Sequence, residues 1–116
     1  MGLIDKLKNK LFKLTHPKQR KFSKLVRQCV ELVNDIDRCK AEYRKAKISR
    51  DSAVLNYKLF AVMHRELIES VDDFTDTDYD ATYVLNEQLE RIDRHISSFR
   101  KSINLTEEDV QELTKE

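Results

Sequence analysis

The stretch FSKLVRQCVELVNDIDRC, residues 22–39, decides the fold. Its apolar residues Phe22, Leu25, Cys29, Leu32, Ile36 and Cys39 alternate in steps of three and four. An α-helix turns once in 3.6 residues, so this spacing stacks them on one side of a helix, whereas a strand would divide them between two faces. Followed outward at intervals of seven, one seam runs Phe22, Cys29, Ile36, Tyr43, Arg50, Tyr57, His64, Val71. The other runs Leu25, Leu32, Cys39, Ala46, Ala53, Phe60, Leu67, Phe74. Only Arg50 and His64 are polar, and two such sustained seams predict packed helix. Val26, Val33, Val54, Ala61 and Ile68 widen the stripe to the breadth of a bundle helix.

The rest of the chain agrees. It has one glycine, Gly2, and one proline, Pro17. Turns between strands draw on both residues, so their absence after residue 17 argues for helices throughout. Beyond the first seams, Leu85, Ile92 and Phe99 repeat at seven, as do Leu89, Ile96 and Ile103. Thr106 and Asp109 stand three apart as an N-terminal capping box, with Leu105 and Val110 at the apolar staple positions around it. Residues 18–73 read either as one long rod or as two helices. Cationic Arg44, Lys45 and Lys47, followed by N-cap candidates Ser49, Asp51 and Ser52, are what the end of one helix and the start of another require electrostatically. The favoured reading is a break near 48–52, with helices over about 18–47, 52–73 and 80–103. Arg50 then becomes a turn or register residue. The expected fold is all-α: an antiparallel bundle of three long helices with coiled-coil-like heptad seams, an N-terminal amphipathic helix and a short C-terminal one. Residues 1–17 form the arm and 18–116 the bundle.

Charge is sharply segregated. The formal net charge is only +1, yet residues 1–27 hold nine Lys or Arg against one Asp. Residues 66–90 hold nine acids and neither Lys nor Arg. Within the arm, Leu3, Leu7, Leu11 and Leu14 fall within about 80° of one another on a helical projection, with Lys6, Lys10 and Lys13 flanking them. His16-Pro17 ends that segment and lets the next helix begin. An arm of this kind fits an anionic membrane surface or an apolar face on a protein. Lys18, Arg20, Lys21, Lys24 and Arg27 extend it as a basic patch, which opens a third reading, a small regulator binding nucleic acid or a nucleic-acid enzyme through residues 6–27. Few stacking aromatics accompany that patch, which sets nucleic acid behind the other two. The segregation also allows the arm to meet the acidic segment directly, within a chain or between copies.

The acidic connection resembles an EF-hand calcium loop. Asp76, Asp78 and Asp80 match positions 1, 3 and 5 of the twelve-residue template, and Glu87 matches position 12. Ala81 stands where that loop uses glycine, and Val84 replaces its usual polar residue at position 9. The alternative is that these acids cap the next helix, favoured by its N-terminal dipole. Calcium is accordingly the one candidate cofactor.

Other chemistry finds little support. With no glycine beyond Gly2 a phosphate-cradling loop cannot form, and no nucleophile motif or closely spaced metal-ligand pair occurs. Cys29 and Cys39 lie roughly 15 Å apart along one helix, beyond disulfide reach, and read with His64 and His95 as core or boundary residues rather than zinc ligands. No apolar stretch is long enough to span a bilayer, and residues 1–15 are too rich in lysine for a signal-peptide core. The expectation is a non-enzymatic, cytoplasmic interaction protein without a small-molecule substrate, engaging another protein or itself, and peripheral at the membrane where the arm meets lipid.

Overall fold

The computed structural model describes residues 16–74 and 79–113, in which four helices pack against one another. They are α1 (His16–Arg44), α2 (Arg50–Asp73), α3 (Tyr79–Ser102) and α4 (Glu107–Leu113). No strand occurs among the described residues, and no helix there is long and apolar enough to cross a membrane. The bulk of the arm, residues 1–15, lies outside the described residues.

The single rod is ruled out by the turn between α1 and α2. Helix α1 stops at Arg44, three residues short of the expected end, through a Schellman closure. The Lys47 amide donates to the Glu42 carbonyl at 2.8 Å and the Ala46 amide to Tyr43 at 3.0 Å. This geometry puts Ala46 at φ 59°, the left-handed region where a Cβ is strained. Three residues later Ser49 caps α2, its hydroxyl accepting the Ser52 amide at 3.1 Å. The C-terminus of α3 closes in the same way, Leu105 donating to Arg100 and Asn104 to Lys101. Asn104 takes the left-handed position at φ 57°, which an asparagine tolerates better.

Cross-helix contacts give the arrangement. Phe22 meets Phe74 and Cys39 meets Asn56, so α1 and α2 run in opposite senses. His64 meets Leu89 and Tyr57 meets Phe99, so α2 and α3 also oppose. Asp37 meets His95 and Lys40 meets Ser98, so α1 and α3 run alike. The residues of the predicted seams supply most of the core, including Phe22, Leu32, Ile36, Ala53, Phe60, Leu85, Ile92 and Phe99. Phe99 is wholly buried and takes Phe60 edge-on at 5.9 Å.

The two polar seam residues find partners at the boundary. Arg50 opens α2 and donates through Nε to the Ile103 carbonyl at 3.1 Å and through Nη2 to Asn104 at 3.3 Å. It thereby ties the start of α2 to carbonyls at the end of α3, where a cation suits the helix dipole. The capping box forms as expected: the Thr106 amide donates to Asp109 Oδ2 at 3.0 Å and the Asp109 amide to Thr106 Oγ1 at 3.1 Å. These bonds hold the exposed Asp109 carboxyl below its ordinary pKa. Leu105 is buried, and Val110 and Leu113 pack α4 onto the core.

Two substitutions at the first turn should act in opposite directions. Ala46→Gly relieves the left-handed strain and should stabilise by about 1 kcal/mol, partly offset by a more flexible unfolded chain. Ser49→Ala removes the cap and should destabilise by about 1 kcal/mol. Chemical denaturation of both variants checks the pair.

Candidate interaction surface

The basic patch continues along the first half of α1. Lys18, Arg20, Lys21, Lys24 and Arg27 are all exposed, and Lys21 Nζ sits 5.8 Å from the centroid of the Phe74 ring. That cation–π contact joins the first turns of α1 to the end of α2. The arm's aliphatics Leu3, Leu7, Leu11 and Leu14 and its lysines Lys6, Lys10 and Lys13 lie outside the described residues.

The acidic connection departs from the calcium-loop template. Asp76 and Asp78 lie outside the described residues, but α3 already begins at Tyr79, so positions 80–87 are helical rather than looped. Position 80 and Glu87 are therefore about 10 Å apart along the axis. The cause is visible at Ala81, which is fully buried and continues the core-facing series to Leu85, Gln88 and Ile92. Its side chain belongs to that core-facing series, and a residue held inside the helix cannot make the sharp turn that the loop needs here. Among the described residues no group of three or more His, Cys, Asp or Glu is placed to hold a metal.

The remaining candidate ligands are dispersed. His64 Nε2 faces the Leu89 carbonyl at 3.3 Å, and His95 Nδ1 lies 2.7 Å from Asp37 Oδ1. Cys39 Sγ accepts from Asn56 Nδ2 at 3.3 Å. Burial raises its thiol pKa, opposed by that hydrogen bond. Burial also pushes the Cys29 thiol up to about 11, far from a reactive thiolate. Both cysteines are free and buried.

The surface that sequence reading overlooked is the outer side of α2. Leu55 is 66% exposed and Leu59 53%, and half-buried Val62 follows them on the same side. On a helical projection these three lie within about 60° of one another and nearly opposite Tyr57 and Phe60, so α2 is apolar on two faces. The signal was present as steps of four and three, 55–59–62, running alongside the stronger seam. The acids Asp51, Glu66 and Glu69 share this outer side.

Beside it, α1 and α2 enclose an open groove of about 270 Å³ lined by Gln28, Glu31, Leu32, Asp35, Met63, Glu66, Leu67 and Ser70. Its floor is aliphatic, from Leu32, Leu67 and Met63, and three carboxylates stand around it. No residue of α3 lines it, so it is the face of the α1–α2 pair that the third helix leaves uncovered. No family model, curated protein or solved structure matches this chain.

Two measurements check these assignments. Millimolar calcium should leave the melting temperature unchanged, in the wild type and in Glu87→Ala alike, whereas a true site would raise it by mass action. The buried Cys29 thiol stays protonated while an unfolded one ionises near its model value of 9.0, so unfolding is favoured above that pH. Stability should therefore fall between about pH 9 and 11, and Cys29→Ala should flatten part of that slope.

Proposed function

We propose that this chain is a non-enzymatic helical interaction protein. Its three long helices form an antiparallel scaffold with coiled-coil-like seams. Its basic amphipathic arm, residues 1–17, and the outer side of α2 contact a partner protein in the cytoplasm. The observation that supports this most is the pair Leu55 and Leu59, held in water opposite a well-filled core. Scattered exposed leucines are ordinary, but a run of apolar residues along one helix face beside an aliphatic groove suits the apolar centre of a contact.

The charges around that stripe favour protein over membrane. Asp51, Glu66 and Glu69 would be repelled by an anionic lipid surface, and with Lys58 and Arg65 along the same edge they make a mixed surface that a protein of mixed charge complements. Nucleic acid fits the basic patch less well than its charge suggests, because Phe22, the aromatic within it, is 1% exposed and cannot stack on a base.

The test is affinity capture with the intact chain, with a deletion of residues 1–16 and with the pair Leu55→Glu and Leu59→Glu, each shown to be folded by far-UV circular dichroism. A protein held by the intact chain and weakened at least about tenfold, or 1.4 kcal/mol, in both variants is the expected result. Equal retention by all three overturns the proposal. Wild-type sedimentation with anionic but not neutral liposomes, lost in Leu7→Glu, would transfer the arm to a membrane surface instead.

A further inference from the structure

We propose that the outer side of α2 and the α1–α2 groove form one docking site for a single amphipathic helix of another protein, with lysines or arginines along the edge that faces the groove. The inference rests on the reading of this face as a contact surface, and it adds the chemistry that the surface selects.

The apolar residues are ordered in a row. Leu55, Leu59, Met63 and Leu67 follow one another at intervals of four. Each such step turns about 40° around a helix, so the row winds from the outer side of α2 toward α1. Exposure falls along it, from 66% at Leu55 and 53% at Leu59 through half-buried Met63 to 8% at Leu67. There Leu32 of α1 completes the floor of the groove. Rows at intervals of four are the ridges over which a second helix packs. From Leu55 to Leu67 the ridge is about 18 Å long, the length of a helix of about twelve residues. One end is open and the other is built into the bundle, so a helix laid along it would extend the core between α1 and α2.

Charge gives the site its sign. From the Phe22–Phe74 and Cys39–Asn56 contacts, Glu31 and Glu66 stand at nearly the same level on opposite rims of the groove. Both are exposed, and neither has an ion-pair partner among the described residues. Asp35 adds a third carboxylate, shared with Arg38 at 2.6 Å. The far edge of α2 is mixed, with Lys58 and Arg65 beside Asp51 and Glu69, and selects no sign. A cation on the groove-side edge of an incoming helix would meet Glu31 and Glu66 together, whereas an acid there would be repelled by both. The cationic stretch of α1 in a second copy cannot serve, since Phe22, Leu25 and Cys29 of that helix are in the core. Nor does the chain's own arm reach the row. Residues 3–14 turned back before His16 would end near Gln28, short of Met63 and Leu59.

Two synthetic peptides test the site on the full chain, each of about sixteen residues and rich enough in alanine to hold helix in water. Both carry one leucine stripe, edged by lysines in the first and by glutamates in the second. In a nuclear magnetic resonance titration the lysine peptide should shift the amides of Leu55, Leu59 and Met63 and leave Arg94, exposed on α3, unmoved. It should bind at least about tenfold more tightly than the glutamate peptide. Glu31→Gln with Glu66→Gln should remove most of that preference, and Leu59→Ser should weaken the lysine peptide about tenfold. Glu90→Gln with Asp93→Asn, both exposed on α3, should change neither value. Equal affinity for the two peptides, binding of neither, or a preference that survives Glu31→Gln with Glu66→Gln overturns the proposal. So does a concentration-dependent dimer that shifts the same amides before peptide is added, which would give the row to a second copy. The two proposals fail separately. Loss of peptide selectivity while capture persists removes the cationic helix alone, and equal capture by all variants while the peptides discriminate removes the partner reading alone.

Discussion

The reversal between Arg44 and Arg50 is the constraint on which the bundle depends. With α1 and α2 continuous, the seam from Phe22 to Val71 would lie along one rod, with nothing of its own chain folded against it. Three hydrogen bonds impose the stop: two amides turned back onto Glu42 and Tyr43, and the Ser52 amide captured by Ser49. They hold Ala46 in a conformation that costs an ordinary residue about 1–2 kcal/mol. The strain persists because it lets Tyr57, Phe60 and Leu67 return against α1 and α3. Burying each such side chain contributes roughly 1.5–3 kcal/mol, enough to outweigh a single strained torsion.

Arg50 links that reversal to the other end of the fold. It is the first residue of α2, yet its guanidinium bonds to carbonyls of Ile103 and Asn104, where α3 closes. Two helix ends are thus joined at one corner, and Asp109, fixed by its capping box, stands near enough to feel the same positive charge. The opposite corner has a different fastening, the Phe22–Phe74 pair with Lys21 above the Phe74 ring. Between the corners the helices are joined mainly by apolar contact. Gln88 is the buried polar residue of that core among the described residues: it is 5% exposed, and its Oε1 has no hydrogen-bond partner there.

The helices were legible because most of the buried apolar residues recur at helical spacing, although Ala46, expected on a seam, is exposed in the first turn. Phe22, Ile36, Phe60, Leu85 and Phe99 were placed by spacing alone and are buried. The Thr106–Asp109 box was equally readable, since both partners are local. What escaped was tertiary or masked by a stronger pattern. The end of α1 fell three residues early because a left-handed alanine carries no signal of the kind glycine gives. Arg50 read as a turn residue, but its acceptors lie 53 and 54 residues away. The calcium template counted carboxylates correctly and missed that Ala81 belongs to the core series of α3. The outer face of α2 was hidden by its own seam, because a search for the periodic stripe stops once one stripe is found.

That second face gives the charge segregation a physical setting. Exposed ion pairs contribute only a few tenths of a kcal/mol to about 1 kcal/mol each, and salt screens them further. A short apolar contact over an already half-covered floor adds modestly to this. A contact made of such parts is weak between separate molecules. A partner held at this surface would therefore have to combine an apolar patch over Leu55 and Leu59 with cations facing Glu31, Asp35 and Glu66 around the groove, because neither contribution suffices alone.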